Sequence, residues 1–518
     1  MIGDTVGMSL LPNRRCHRLA SFLLLVSACF GTWPAAAQLQ PAANTTAALA
    51  AQIDAHIDQA RFAAASWGIA VVSLDSGRTL YAHHADQLLQ PASTAKLFTA
   101  GLSLATLGAD YRIPTRLLAD DGHDGRLHGP LILYGMGDPT LGTADSLAWA
   151  DQLADQLALR GVRSVHGDLI VDDSYFAGPP FGTGWEADDL QSWFAVPSSA
   201  LSVQENIVDI TVTPGGSAGL PASVSLAPVD ALAPPLGQIT TTRPHTASDI
   251  NLYRAPGSGT LYAFGSLPAQ APPQQFKLAM TDPALQAGRE LRDALRRRGI
   301  RVTGQLQALH WPQDDAGLLA HAQTLAEVWS PPLLEILKRG LKRSQNLYLQ
   351  NLLLNVGVHE QATTATPPAG FTSTETYGIK ALQAWLAQIG IPPSTSLIGE
   401  GTGLSRRDLV TPEALVHLLG YLAMQPYAAA LRDALPIAGV DGTLIGRMRG
   451  TAAENNVHAK TGSMNYVHCL AGYVTTATGE RLAFAIMLNN YEPPQGAPRA
   501  SSDLDAIAVL LADYRGND

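Results

Sequence analysis

The 518-residue sequence predicts a chain of mixed α/β class, α+β in kind: an antiparallel sheet flanked by helices and interrupted by a large strand-rich insertion. Three observations predict it. A strand–turn–strand pattern with a helix lies near the N-terminus, a second such hairpin followed by a helix lies at the C-terminus, and the texture changes between them. A sheet assembled from both chain ends requires that the middle contain an insertion. With 46% hydrophobic and 15% charged residues the chain has ample material for a sizeable core and more than one domain.

Before the folded part, Arg14, Arg15 and Arg18 precede the apolar run LASFLLLVSACF (19–30), which is too short to span a bilayer as a mature helix. Gly31 and Pro34 break the run ahead of Ala35-Ala36-Ala37. Residues 1–37 therefore read as an export signal cleaved after Ala37, which places the mature chain in the periplasm or otherwise outside the cytoplasm. The minor alternative is a lipobox, VSAC (26–29), with Cys29 lipidated. Removal of 1–37 leaves Cys469 alone of three cysteines, so neither a disulfide framework nor a cysteine metal site is expected.

Leu49, Ile53 and Ile57 have the spacing of a helix over 45–61. WGIAVVSLDSGRTLYAHHAD then reads as strand, Asp-Ser-Gly turn and strand. PASTAKLFTA (91–100) starts a helix whose Leu97, Phe98, Leu102 and Leu104 would be buried. From Asp110 to Trp311 short alternating strands dominate (LILYG, DLIVDD, IVDITVTP, TLYAFG), with amphipathic helices around Ser146–Leu159 and Ala284–Arg298. Helices return from His321 to Gln425, and LAGYVTTATGERLAFAIMLNNY (470–491) closes the fold as a hairpin before a terminal acidic amphipathic helix. The expected division is 38–109 for the first part of the core domain, 110–315 for the insertion, possibly two nested pieces, and 316–518 for the second part. No later segment offers eighteen uninterrupted apolar residues, so no transmembrane anchor is expected. A net charge of −10 with no basic concentration disfavours nucleic acid as a partner.

Three short signals stand in order: Ser93-x-x-Lys96, Ser344-x-Asn346 and Lys460-Thr461-Gly462, the last just before the C-terminal hairpin. Alone, each has a bland reading as a helix start, a helix cap or a strand end. Their order and setting are far more specific than any member. On these motifs the chain resembles the penicillin-recognising serine enzymes, the superfamily of penicillin-binding proteins and serine β-lactamases. The segments YGMGDPTL (134–141), GWEADDLQSWFAVPSSALS (184–202), GTGLSRRDLVTP (401–412) and IAGVDGTL (437–444), with the long insertion between Ser93 and Ser344, narrow this. They are similar to the D-Ala-D-Ala carboxypeptidase/endopeptidase family, low-molecular-mass class C penicillin-binding proteins of peptidase family S13.

That resemblance implies a transpeptidase-like, β-lactamase-like catalytic domain with a five-stranded antiparallel sheet. It also implies DD-carboxypeptidase and DD-endopeptidase action on peptidoglycan stem peptides and crosslinks, and covalent binding of β-lactam antibiotics. No cofactor and no metal is implied, and the oligomeric state is left open. By position, Ser93 is the nucleophile and Lys96, desolvated and one turn away, its base. Ser344 relays a proton to the leaving amine, and Asn346 holds the substrate amide and Lys96. Lys460 is expected as an exposed ammonium on a strand edge, reading the substrate carboxylate with Thr461 and lowering the Lys96 pKa by its charge. Gly462 would let substrate backbone approach, and the N–H groups of Ser93 and Ser463 would form the oxyanion hole. Gln345 stands where an acidic or amide residue is usual, and Met136 interrupts a glycine run.

Other candidates fail on context. Gly215-x-Ser217-x-Gly219 matches a nucleophile elbow, but Pro214 and Pro221 bracket it as a turn and no helix follows. His83 and His84, adjacent in a strand, should point apart and hold no metal together. Asp188-Asp189 and Asp138 read as loop and capping residues. The rival functions are a serine β-lactamase, for which no E-x-x-x-N loop is found, and a non-catalytic wall-binding protein, which the retained motif residues oppose.

Overall fold

A computed structural model describes residues 43–120, 124–144 and 146–516. The export signal over 1–37 and Cys29 lie outside the described residues.

The sheet from both chain ends has five antiparallel strands. Their order is His458–Met464, Val467–Thr475, Arg481–Asn489, Ser66–Ser73 and Thr79–His83. Strand period two makes it two-faced. Leu482, Phe484, Ile486 and Leu488 turn to one side, where they join Leu49, Ile53 and Ile57 of helix Thr46–Ile57 and Leu504, Ile507 and Leu511 of helix Ala500–Asp513. Ala483, Ala485 and Met487 turn to the other side and join the core of the remaining helices. On that second face a row of small residues, Ala70, Ala485 and Ala471, crosses three strands and ends at Lys460 on the edge.

The second layer begins with a 3-10 turn, Ala92–Ala95, that carries Ser93 and runs directly into helix Lys96–Leu107. Gly108, at φ +86°, ends that helix in a conformation a side chain would oppose. Its Leu97, Phe98, Leu102 and Leu104 are buried against helices Leu333–Arg343, Asn346–Thr363, Thr374–Gln388 and Pro412–Ala423.

Between Ile113 and Ser330 the chain makes a separate core. Its main sheet is mixed, in the order Leu306–Leu309, Leu169–Asp172, Leu131–Gly135, Pro114–Ala119, Gln323–Trp329, with helices Trp149–Leu159 and Pro283–Arg297 packed on it. Three smaller three-stranded sheets complete the region. The strand Gln323–Trp329 lies beyond residue 315, in a stretch expected to be helical. It takes the antiparallel place beside Pro114–Ala119, and the helices resume only at Leu333. In YGMGDPTL the glycines flanking Met136 are those packing requires. A Cβ on Gly135 would lie 2.4 Å from the Ala200 carbonyl, and one on Gly137 2.4 Å from Phe176.

Candidate active site

Ser93, Lys96, Asn346 and the Thr402 carbonyl meet at one point. Lys96 is fully buried, and its Nζ lies 2.8 Å from Ser93 Oγ, 2.5 Å from Asn346 Oδ1 and 2.8 Å from the Thr402 carbonyl oxygen. The helical step places the first contact, since residues three apart share a face. The second is fixed at Asn346, whose Nδ2 donates to the Phe194 carbonyl at 2.7 Å and so turns Oδ1 toward Lys96. A neutral amine has two N–H groups and one lone pair. Two of its three neighbours are carbonyl oxygens that can only accept, so the lone pair is left facing the Ser93 hydroxyl. Burial pushes the Lys96 amine down to about 7, against an opposing pull from the Glu400 charge.

Ser344 caps helix Leu333–Arg343 in a left-handed conformation, φ +57°, and the next helix starts at Asn346. That sharp reversal puts both motif side chains on the inner side of one turn. The Ser344 hydroxyl accepts from Lys460 Nζ at 2.8 Å, which also donates to the Thr461 carbonyl at 2.7 Å. The Thr461 hydroxyl lies 2.8 Å from that of Thr443.

Several expectations are corrected. Lys460 is not exposed: although its strand is the sheet edge, its side chain enters the second layer under Ser344 and is completely buried. Burial, and then the charge of Lys96, push the Lys460 amine well below its ordinary value. The two amines repel each other, and the Glu400 charge opposes the effect of burial on Lys96. Gly462, whatever it does for substrate, also serves the protein's own packing, because a Cβ there would lie 2.6 Å from the Pro91 carbonyl, just before the nucleophile turn. His83 and His84 do not point apart. His84 leaves the strand at φ +43°, and the rings approach to 4.2 Å. Among the described residues no three His, Cys, Asp or Glu side chains gather as metal ligands.

Ser463 is exposed on the same strand. Ser217 lies in an exposed turn between strands Ile207–Thr213 and Ser223–Ala227. Asp138 accepts from the Thr140 amide and hydroxyl, at 2.8 and 2.7 Å, with its carboxyl pushed up to about 6 by burial. Asp188 and Asp189 sit in a 3-10 turn, Ala187–Gln191.

Two buried carboxylates went unmarked. Glu205 accepts from Arg343 (2.6 and 2.9 Å), Gln345 Nε2 (2.9 Å) and the Tyr348 hydroxyl (3.0 Å), so it grips the residues on both sides of Ser344. Gln345 therefore faces this anchor. Glu400 organises the segment that ends in the Thr402 carbonyl. Neither has a periodic or motif signal. The one hint was that Glu400 directly precedes GTGLSRRDLVTP and Glu205 lies three residues past the 184–202 segment.

Known proteins carry the same arrangement of chain. The D-alanyl-D-alanine carboxypeptidase of Actinomadura sp. (strain R39) is 35% identical over 517 residues, 97% of this chain and 91% of that protein. The D-alanyl-D-alanine carboxypeptidase DacB of Haemophilus influenzae is 28% identical over 431 residues, 82% of this chain and 85% of that one. The crystal structure of penicillin binding protein 4 (dacB) from Haemophilus influenzae superposes with a TM-score of 0.74 at 26% identity, covering 88% of this chain and 97% of that one. The D-Ala-D-Ala carboxypeptidase 3 (S13) family matches residues 49–514, nearly the whole described chain, and the chain belongs to that family.

Proposed function

We propose that the chain is a serine-type D-alanyl-D-alanine carboxypeptidase that also opens peptidoglycan crosslinks as a DD-endopeptidase and binds β-lactams covalently. The observation that carries this reading is the Lys96 environment: a buried amine whose two obligatory acceptors leave its lone pair for Ser93. In the proposed step Ser93 Oγ attacks the carbonyl of the penultimate D-Ala while its proton passes to Lys96. The C–N bond then breaks and D-Ala leaves, its nitrogen protonated through Ser344. That hydroxyl accepts from Lys460 and so keeps its own O–H to donate. Water afterwards cleaves the ester and restores Ser93. In a crosslink the leaving amine belongs to a neighbouring stem.

The substrate carboxylate is assigned to Lys460 and Thr461, with Asn346 on the substrate amide, Gly462 letting substrate backbone approach the strand, and the Ser93 and Ser463 N–H groups on the oxyanion. Burial disfavours an unpaired charge on Lys460, and an arriving carboxylate supplies the missing counter-charge, so binding and proton uptake are coupled. The segment inserted between Ser93 and Ser344 is read as an accessory region. The leader pattern over 1–37 supports action outside the cytoplasm, and among the described residues no helix is long and apolar enough to cross a membrane.

Intact-mass spectrometry after benzylpenicillin tests nucleophile and class together. One adduct is expected, on the Ser93 peptide and absent from Ser93→Ala, with nitrocefin consumed only stoichiometrically. Labelling of Ser93→Ala, or rapid nitrocefin turnover, refutes the reading.

A further inference from the structure

Glu400 is fully buried, and five donors converge on its two oxygens. Oε2 accepts from the Thr402 amide (2.9 Å), the Thr402 hydroxyl (2.7 Å) and the Trp185 indole (3.1 Å). Oε1 accepts from the amides of Gly403 (2.5 Å) and Ser405 (3.4 Å). The segment 400–405 is therefore folded around one carboxylate. It hands two carbonyls to the nucleophile helix: that of Thr402 to Lys96 and that of Gly401 to the Thr99 hydroxyl, each at 2.8 Å. Gln350 closes the segment from behind, accepting from the Gly401 amide at 2.8 Å and donating to Glu375 at 2.7 Å.

The charged and titratable groups around this point come from four places. Lys96 faces Glu400 from the nucleophile helix, Lys460 faces Lys96 from the edge strand, Glu375 stands at the start of helix Thr374–Gln388, and Asp408 lies a few residues downstream of Glu400. Asp408 accepts from the Gly399 amide at 2.8 Å and lies close enough to Glu400 to feel its charge. Burial, then the Glu400 charge, push the Asp408 carboxyl up to about 9. Burial likewise pushes the Glu375 carboxyl up.

We infer that Glu400 is a positioning residue for the base: it holds the Thr402 carbonyl against Lys96 and supplies the buried negative charge that the amine faces, and so sets the pH at which the Ser93–Lys96 pair becomes competent. The inference rests on the acylation reading above. It makes the loop around 400–405 part of the control of the proton, through the Thr402 carbonyl on Lys96.

The test measures the second-order rate of acylation by a fluorescent penicillin from pH 5 to 9 for wild type, Glu400→Gln and Glu400→Asp. Removing the charge removes the ionic pull that favours protonated Lys96, so the acid limb of Glu400→Gln, measured in an Asp408→Asn background so that Asp408 cannot ionise in its place, should move down by about one unit. The rate on its plateau should fall roughly 10–100-fold as the carbonyl loses its fixed place. Glu400→Asp keeps the charge but withdraws it by one methylene, and its limb should move the same way by a few tenths of a unit. If Glu400→Gln does not fold, as judged by its thermal transition, Glu400→Asp decides alone. An acid limb at the wild-type position in whichever variants fold, whatever the loss of rate, reduces Glu400 to a structural role and overturns the inference. Failure of the acylation reading looks different, because the wild type itself then gives no Ser93 adduct.

Discussion

Glu205 offers a quantitative test of how the Ser344 turn is held. Truncation by Glu205→Ala removes one carboxylate and orphans three donors at once. Tyr348 and Gln345 are 1% and 3% exposed, so each loses a hydrogen bond to a charged acceptor with little water to replace it, about 1.5–3 kcal/mol apiece. Arg343 is 57% exposed, and its ion pair is screened, worth roughly 0.5–1 kcal/mol. Water admitted to the vacated space recovers part of the loss, which leaves about 4 kcal/mol. Tyr348→Phe should cost about 1.5 kcal/mol, and Arg343→Met less than about 1. Urea unfolding followed by tryptophan fluorescence ranks the three, and acylation rates should fall with Glu205→Ala because Ser344 and Asn346 lose their clamp. A cost for Glu205→Ala within about 0.5 kcal/mol of zero, or a cost for Arg343→Met matching it, would show that the Ser344 turn is held by something else.

Three further outcomes are expected. With a base titrating at about 7, acylation should rise about tenfold from pH 5 to 6 and level off above about pH 8, since the deprotonated amine is the active form. Lys96→Arg should be inert throughout because arginine keeps its proton, and a flat profile or an active arginine variant rules Lys96 out as the base. Amidation of the pentapeptide carboxylate should reduce wild-type kcat/KM by about 30-fold or more and that of Lys460→Ala hardly at all; equal penalties would show that Lys460 does not read the carboxylate. Gly403→Ala should lose most acylation, because φ is +75° and the new Cβ would lie 1.9 Å from the Ala92 carbonyl, next to Ser93; a variant labelled at the normal rate would show that the loop yields freely there.

The parts of the site that sequence revealed are those whose chemistry is local. Ser93 and Lys96 share a face because they are three residues apart, and Ser344 and Asn346 flank a single reversal. The two terminal hairpins were equally legible, since alternation in LAFAIML is a property of the strand itself. Burial of Lys460 was not, because it depends on what covers an edge strand, and the cover, Ser344, lies 116 residues away. The packing demand on Gly462 was hidden for the same reason: the Pro91 carbonyl that needs the space belongs to a distant turn. Glu205 and Glu400 carried no motif of their own because a lone carboxylate in a loop has no period, and donors such as Tyr348 and Trp185 are 143 and 215 residues distant. His84 escaped because a single positive φ reverses the alternation that strand reasoning assumes.

The sheet drawn from both chain ends also imposes an order in time. Strand Ser66–Ser73 takes its neighbour Arg481–Asn489 from the far end of the chain. Until those residues are made, it has one open edge, able to pair with a stranger. The nucleophile turn is likewise synthesised long before Lys460 and the strand that seats it. A chain emerging N-terminus first thus carries Ser93 and Lys96 as inert side chains and becomes an acylating enzyme only on closure by its last hairpin. Competence arrives late and all at once, when the last strands complete the sheet that holds Lys460.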